Sequence, residues 1–297
     1  MPEGPELAYS RDRIKQLVLG KALTDLSIGS SGRYVKAPPQ GLPEFLSEMN
    51  KAGAPRVKEV GTHGKFMWWR FNFPCEWEDW YLHCTYGMSG GWYTFSTKHT
   101  AFSVGYNDSG IPITRDVMRL SFNDPRHFGT LKFVKGSKPH QKKLATLGPC
   151  ILGPQVDPVL FAEKVLGKPA RTIAEALMDQ STMAGCGNYI KAEVLYRAGV
   201  SPWRQVTEVT PAEYVAIRDA LWDVAKESYS SQGATISTYR TPDGHEGTTQ
   251  FDFRVYSRKQ CPKGHEVRRE ETPEGRTSHW CPTCPVSYTH LTLPTIL

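Results

Sequence analysis

The sequence predicts an α+β protein of two domains, a β-sandwich that begins with a short helix and a helical domain that ends in a β-hairpin. Three observations predict it. Short aromatic and β-branched runs fill the first half, helical periodicity fills residues 159–228, and cysteine and histidine pairs flank a short segment near the end. At 297 residues, the chain has room for two domains of about 150 residues each.

The chain opens with Met1-Pro2-Glu3-Gly4-Pro5-Glu6. Removal of Met1 would leave Pro2 as an N-terminal secondary amine, and because an α-amino group has a pKa of about 7.7–8.0, part of it is an uncharged nucleophile near neutral pH. Amines attack sugar or carbonyl carbons to give Schiff bases, and Glu3 can serve as a general acid or base beside it. The alternative is a disordered, proline-rich terminus. With Met1 retained, the Pro2 nitrogen is an amide and cannot attack.

The elements follow in order. An amphipathic helix is predicted at residues 5–19, with Gly20 as its stop. Strands are predicted at 66–71, 80–82, 91–95 and 130–133. A Gly- and Pro-rich linker at 148–158 is followed by helices at 159–166, 173–178, 189–197 and 212–228. The predicted boundaries are 1–147 for the sandwich domain, 159–250 for the helical domain and 251–285 for the hairpin.

Composition narrows the class of protein. The net charge of +6 and the pI near 8.9 favour a polyanionic partner. No apolar run approaches the roughly 18–20 residues that cross a bilayer, and the acidic start does not resemble a signal peptide. Seven cysteines, an odd number, do not indicate a disulfide framework. We therefore expect an intracellular protein.

Two ligand pairs predict a metal site. Cys261 and His265 are separated by three residues, Cys281 and Cys284 by two, and fifteen residues lie between the pairs. This spacing is typical of a structural, four-ligand Zn²⁺ site with no open position for a catalytic water. The intervening residues should form a hairpin with 273–275 at its tip; His279 is a competing ligand candidate. The hairpin carries basic side chains suitable for phosphate contact, at Lys263, Arg268, Arg269 and Arg276. For Arg268 and Arg269, a solvated charged face is the alternative, because glutamates lie beside them.

A glycine-rich turn lies between two predicted helices. Gly185-Cys186-Gly187 ends one helix, and the next opens at Asn188 or Tyr189. Exposed backbone amides at such a turn, Gly187 included, form an anion site. The alternative is a plain helix–helix turn.

Four separated motifs resemble the formamidopyrimidine-DNA glycosylase/endonuclease VIII (Fpg/Nei) family. They are the opening hexapeptide, Asp124-Pro-Arg-His-Phe-Gly129, the 180–188 turn and the C-terminal metal hairpin, and they span residues 1–285. The resemblance implies a β-sandwich that carries the N-terminal helix, a helical domain with a helix–two-turns–helix motif, a zinc finger, and DNA in the cleft between the domains.

The resemblance also implies roles for single residues. Pro2 is similar to the family nucleophile that attacks C1′ of the damaged nucleotide, Glu3 to the carboxylate that assists sugar ring opening, and Lys65 to a turn lysine beside the lesion. Asn188 and Arg276 are similar to residues that grip the DNA backbone. The residues that fill the space left by a flipped base correspond to Met88, Arg126 and Phe128, for which core or surface-paired roles are the alternatives.

Two features of the sequence point to different preferences for the damaged base. The Cys-His-Cys-Cys finger resembles Nei-like members, whereas the 230–250 loop and the void-filling set resemble the formamidopyrimidine branch, in which such a loop closes over the lesion. The sequence does not decide whether the preferred lesion is 8-oxoguanine or formamidopyrimidine on the one hand, or an oxidised pyrimidine on the other.

We therefore expect a monomeric, bifunctional DNA glycosylase and AP lyase (β,δ-elimination) that removes oxidised bases and carries one structural Zn²⁺. The alternative is a non-catalytic zinc-finger protein that binds damaged or single-stranded DNA. Residues 286–297 are interpreted as a non-native tail, because their back-translation resembles a sequencing adaptor.

Overall fold

The computed structural model describes residues 2–30, 32–74, 76–112, 116–167, 169, 171–234, 240–244, 252–273 and 275–284. The predicted tail and much of the 230–250 loop lie outside these residues. The helices are α1 Gly4–Val18, α2 Leu42–Ala52, α3 Ser137–Leu144, α4 Pro158–Leu166, α5 Ile173–Met178, α6 Asn188–Ala198 and α7 Pro211–Ser230. The strands are β1 Ala22–Ile28, β2 Arg56–His63, β3 Phe66–Asn72, β4 Trp80–Thr85, β5 Gly91–Tyr93, β6 Thr100–Asn107, β7 Met118–Asn123, β8 Thr130–Lys135, β9 Arg268–Thr272 and β10 Arg276–Trp280.

The first eight strands form the predicted sandwich. Their order is β5-β7-β6-β1-β2-β3-β4-β8, and every neighbouring pair is antiparallel. Because β1 and β2 pair at a single position, Ala22 with Arg56, the sheet divides there into two four-stranded halves. Aromatic rings from the two halves meet in the core, with Trp69 and Trp92 centroids 5.1 Å apart. The fold class is confirmed.

Helix α1 begins one residue before the predicted start and buries Leu7, Ile14 and Val18. Its first turn is stabilised by Pro5 and by a capping box, in which the Glu3 amide donates to Glu6 Oε2 at 2.8 Å. The helix packs between β2 and α7, so it contacts both domains.

Helix α2 lies inside the region that we expected to be purely β-rich. It carries apolar residues at helical spacing and a proline in its first turn, signals that the aromatic runs on either side obscured. Phe45 is fully buried, and its ring centroid lies 4.7–5.5 Å from those of Phe71, Phe73, Trp80 and Phe133. The helix therefore closes one end of the sandwich core. Helix α3, which packs against β8, was also not predicted.

The four helices predicted after the linker are present, and α4 to α7 surround a second apolar core. Capping boxes start two of them, with Thr172 and Glu175 at α5 and Thr210 and Glu213 at α7. Strands β9 and β10 form the predicted hairpin, and the chain turns back between Thr272 and Arg276, where the tip was expected. No helix among the described residues is long and apolar enough to cross a membrane.

Candidate active site at the start of helix α1

Three chain segments converge where α1 begins. The Gly4 amide donates to Gly185 O at 3.0 Å, which joins α1 to the turn between α5 and α6. Gly64, in the turn between β2 and β3, has φ +59°, and a Cβ added there would lie 2.5 Å from Gly185 N. Only glycine allows this approach, since a side chain would strain the backbone and collide with the turn. The residue after Gly64 is Lys65, so the contact brings this lysine to the start of α1.

Glu3 is the carboxylate at this junction, and only 2% of it is exposed. Its Oε1 accepts from the Tyr189 amide at 3.0 Å and its Oε2 from the Ile190 amide at 3.4 Å. The sequence predicts exposed amides that bind an anion at the start of α6. In the structure, the amides of Tyr189 and Ile190 bind the Glu3 carboxylate of the same chain instead. Gly187 makes room for this carboxylate, since an added Cβ would lie 2.2 Å from Glu3 Cδ.

The environment of Glu3 favours its protonated form. Burial raises the pKa of Glu3 from 4.5 to about 7, and the nearby charge of Glu6 adds to the rise. The positive charge of Lys65 and the amides of Tyr189 and Ile190 oppose the rise in pKa. A carboxyl group with a pKa near neutrality can both donate and accept a proton at neutral pH, as general acid–base chemistry requires.

A cavity of about 350 Å³ lies between the two domains, and four predicted site residues line it. They are Pro2, Lys65, Met88 and Arg276. Glu3 is buried next to the lining residue Pro2 and does not itself line the cavity. Lys143 of α3 adds a third cationic side chain, and no acidic side chain lines the cavity among the described residues. The volume is within the range of about 300–1,000 Å³ that is typical of ligand sites. The cavity can therefore hold a group that carries negative charge.

One amide side chain makes hydrogen bonds within the turn at 179–187, and a second, just after the turn, makes one to the hairpin. Gln180 lines the cavity, its Oε1 accepts from the Gly185 amide at 2.9 Å, and its Nε2 donates to Cys186 O at 2.9 Å. Asn188 Nδ2 donates to Thr277 O at 2.9 Å. Because Thr277 follows Arg276, this bond ties the helical domain to the part of the hairpin that faces the cavity.

The residues predicted to fill the void of a flipped base lie on two adjoining loops. Met88 lines the cavity, whereas Phe128 is 56% exposed and the Arg126 guanidinium lies 5.6 Å from its ring centroid. The loops contact each other, since the Arg126 amide donates to Ser89 Oγ at 3.2 Å and Ser89 Oγ donates to Asp124 Oδ1 at 3.0 Å. An exposed aromatic ring stacked with a guanidinium is suited to contact with bases.

The predicted metal ligands come together at the base of the hairpin. The ligand atoms of Cys261, His265, Cys281 and Cys284 all lie within 4.8 Å of one another. The Cys284 sulfur is 3.7 Å from that of Cys261 and 3.3 Å from His265 Nδ1. Three thiols and one imidazole at these distances can hold a metal ion. His279 is not part of the cluster and instead packs edge-on against Tyr256, with centroids 4.7 Å apart.

Sequence reasoning assigned no role to Glu6 or to the Tyr189 side chain. Glu6 is fully buried, and burial raises its pKa. The Tyr189 hydroxyl donates to Glu6 Oε1 at 2.9 Å. The polar character of Glu6 in an otherwise apolar first turn was the available signal, but its partner lies 183 residues further along the chain.

Comparisons with known proteins agree with this geometry. The formamidopyrimidine-DNA glycosylase N-terminal domain matches residues 1–131, and the H2TH domain of the same enzymes matches residues 147–240. The formamidopyrimidine-DNA glycosylase of Shouchella clausii is 30% identical over 292 residues, which are 96% of this chain and 99% of the relative. That of Thermus thermophilus is 33% identical over 291 residues, which are 96% of this chain and 98% of the relative.

Solved structures give the same result. The crystal structure of the MutM (Fpg) protein of Thermus thermophilus aligns with a TM-score of 0.77 at 31% identity, over 95% of this chain and 98% of that one. The Lactococcus lactis Fpg in complex with DNA that contains an abasic site aligns with a TM-score of 0.78 over 96% of this chain and 99% of that one. At 21% identity, this second likeness concerns the fold alone. The chain belongs to the formamidopyrimidine-DNA glycosylase family.

Proposed function

We propose that the protein is a base-excision repair DNA glycosylase with AP lyase activity, which removes oxidised bases from DNA. The observation that carries the proposal is that Pro2 lines a cationic cavity and is followed by a buried glutamate with a raised pKa. The family relatives are formamidopyrimidine-DNA glycosylases, and the Lactococcus lactis Fpg has been solved with DNA containing an abasic site. A DNA strand supplies both the negative charge that the cavity accepts and the sugar carbon that an amine can attack.

The reaction begins once Met1 has been removed. The Pro2 amine attacks C1′ of the damaged nucleotide, the glycosidic bond breaks, and the base leaves. Glu3 donates a proton to the sugar ring oxygen, so that the ring opens and an iminium links C1′ to Pro2. The iminium accepts the electrons released when C2′ loses its proton, so the 3′ phosphate is expelled; a second elimination expels the 5′ phosphate, and water hydrolyses the remaining Schiff base to free Pro2. No redox cofactor is needed, because the iminium formed by the amine is the electron sink.

The cationic side chains hold the strand during these steps. Lys65 and Arg276 line the cavity from opposite domains, so each can contact a phosphate on one side of the damaged nucleotide. Asn188 keeps Arg276 in register through Thr277. Met88, Arg126 and Phe128 replace the stacking of the displaced base, whose loss otherwise costs on the order of a few kcal/mol.

The ion in the cluster is zinc in this proposal. Tetrahedral Zn²⁺ prefers thiolate and imidazole ligands, and Cys261, His265, Cys281 and Cys284 supply all four. Bound by these four residues, a zinc ion would have no open position for substrate, so its role would be structural. The four ligands would then fix the base of the hairpin and the strand that begins with Arg276.

Strand cleavage tests the proposed function. Protein with Pro2 at its N-terminus is incubated with duplexes that contain 8-oxoguanine, formamidopyrimidine, thymine glycol, dihydrouracil or an abasic site. We expect nicking of the abasic duplex and of at least one damaged duplex, with phosphate on both ends of the gap. Binding without nicking of any duplex would instead support a non-catalytic DNA-binding protein.

A further inference from the structure

Tyr189 contacts both glutamates of the first turn of α1. Its backbone amide donates to Glu3 Oε1 at 3.0 Å, and its side-chain hydroxyl donates to Glu6 Oε1 at 2.9 Å. The hydroxyl also lies 2.9 Å from Ser228 Oγ in α7. Tyr189 is fully buried, so this arrangement is shielded from solvent. The role proposed above for Glu3 uses the amide of Tyr189 but not its hydroxyl.

The groups around Glu6 are hydrogen-bond donors. Oε1 accepts from the Ala234 amide at 2.7 Å as well as from Tyr189, and Ser228 Oγ is 3.4 Å away. Oε2 accepts from the Glu3 amide at 2.8 Å. Burial raises the pKa of Glu6, and these donors oppose the rise, because each of them stabilises the ionised form. The charge on Glu6 therefore depends on how many donors it keeps.

That charge acts on Glu3. Negative charge on Glu6 raises the pKa of Glu3, and positive charge on Lys65 lowers it. Two further titratable groups lie near Glu3, the Cys186 thiol and the Tyr256 hydroxyl, and burial raises the pKa of each. The N-terminal amine that forms on removal of Met1 is attached to the residue before Glu3. Among these groups, Glu6 is the one whose ionisation Tyr189 contacts directly.

We propose that the Tyr189 hydroxyl is a positioning group that favours the ionised form of Glu6 and thereby shifts the pH range in which Glu3 exchanges its proton. This inference rests on the function proposed above for Glu3. Without the hydroxyl, Glu6 loses one donor and holds its own proton up to a higher pH. The negative charge beside Glu3 is then reduced, and Glu3 gives up its proton at a lower pH.

Tyr189→Phe tests the inference, because it removes the hydroxyl and keeps the ring. The ionisation of Glu3 is followed in the free protein by ¹³C NMR of labelled glutamate carboxyls, with the Glu3 signal assigned by its absence in Glu3→Gln. We expect the midpoint to fall by about 0.5–1 pH unit, the size of one hydrogen bond to a charged group transmitted in part to its neighbour. The pH optimum of single-turnover nicking on an abasic duplex should move in the same direction.

Tyr214→Phe is the matched control. Tyr214 is a buried tyrosine of the same domain, and its hydroxyl donates to Val206 O at 2.6 Å without contact to α1. This variant should lose a similar hydrogen bond and leave the Glu3 midpoint unchanged. General destabilisation would shift the midpoint of the Glu3 titration in both variants, whereas the proposed effect shifts it only in Tyr189→Phe.

An unchanged Glu3 midpoint in Tyr189→Phe, or a rise, would overturn the inference. If thermal unfolding shows that this variant does not fold, Ser228→Ala replaces it. This variant removes a hydroxyl that lies 2.9 Å from the Tyr189 hydroxyl and 3.4 Å from Glu6 Oε1, so it should shift the midpoint in the same direction. The NMR titration needs no DNA, so it stands apart from the proposed function. Absence of nicking by the unsubstituted protein would count against that function and not against the link between Tyr189 and Glu3.

Discussion

The stability of the Glu3→Gln variant relative to that of the unsubstituted protein should increase as the pH rises from about 5 to 8. Burial raises the pKa of Glu3 from 4.5 to about 7 in the folded protein. Between these values the folded protein keeps a proton that the unfolded chain has released. The contribution of Glu3 to the free energy of unfolding is therefore fully present below pH 4.5 and is lost as the pH rises through about 7.

The size of the effect follows from the pKa change. The interval from 4.5 to about 7, at about 1.4 kcal/mol per pKa unit, corresponds to about 3 kcal/mol. Gln is neutral at every pH, so it lacks this dependence. It keeps an acceptor for the Tyr189 amide and loses the longer bond to Ile190, at a cost of about 1 kcal/mol that does not vary with pH.

Urea unfolding of both proteins across this pH range measures the difference. Because Glu6 is present in both, most of its own titration cancels when the two free energies are subtracted. We expect the difference to rise by about 3 kcal/mol in favour of Glu3→Gln from acid to alkaline pH. A difference that stays flat, or that turns against the variant as the pH rises, would refute the account of a buried, protonated Glu3. In the same variant, base excision should fall by about 100-fold or more, the usual contribution of a general acid.

Three further substitutions test separate parts of the site. Gly187→Ala places a Cβ 2.2 Å from Glu3 Cδ and should lower the free energy of unfolding by about 1–3 kcal/mol in a urea titration, whereas Gly167→Ala, where an added Cβ meets nothing closer than 3.5 Å, should not destabilise. Phe128→Ala should slow excision of a paired oxidised base in single-turnover assays and leave nicking of a preformed abasic site unchanged; equal loss of both would contradict a void-filling role. His265→Ala removes one of four ligands, so bound zinc should fall in atomic absorption and DNA affinity should fall with it, while His265→Cys should retain both.

Local signals predicted most of the fold. The Thr210-Pro211 start of α7 and its Glu213 form a capping box that depends only on neighbouring residues, so the sequence indicates the start of the helix directly. The cysteine and histidine spacing likewise predicted the hairpin, because two short ligand pairs can meet only if the chain between them turns back. Four of the site residues that the family resemblance implied line the same cavity.

Long-range contacts account for what was missed. Helix α2 is stabilised by Phe45, which closes the sandwich against rings from three strands, and its short amphipathic pattern is indistinguishable from the runs around it until those strands have assembled. The bond between Glu6 and Tyr189 spans 183 residues, and no spacing rule connects positions so far apart. The occupant of the predicted anion site at the start of α6 was missed for the same reason, because it is the carboxylate of Glu3, 186 residues away in the sequence.

The most direct test of the account is to trap the intermediate on Pro2. Protein with Pro2 at its N-terminus is mixed with an abasic duplex in the presence of sodium borohydride, which reduces an iminium to a stable amine. Proteolysis and mass spectrometry then locate the DNA remnant. We predict a covalent adduct on the nitrogen of Pro2 and none when Met1 is retained. No adduct, or an adduct carried by Lys65 instead, would contradict the assignment of Pro2 as the nucleophile.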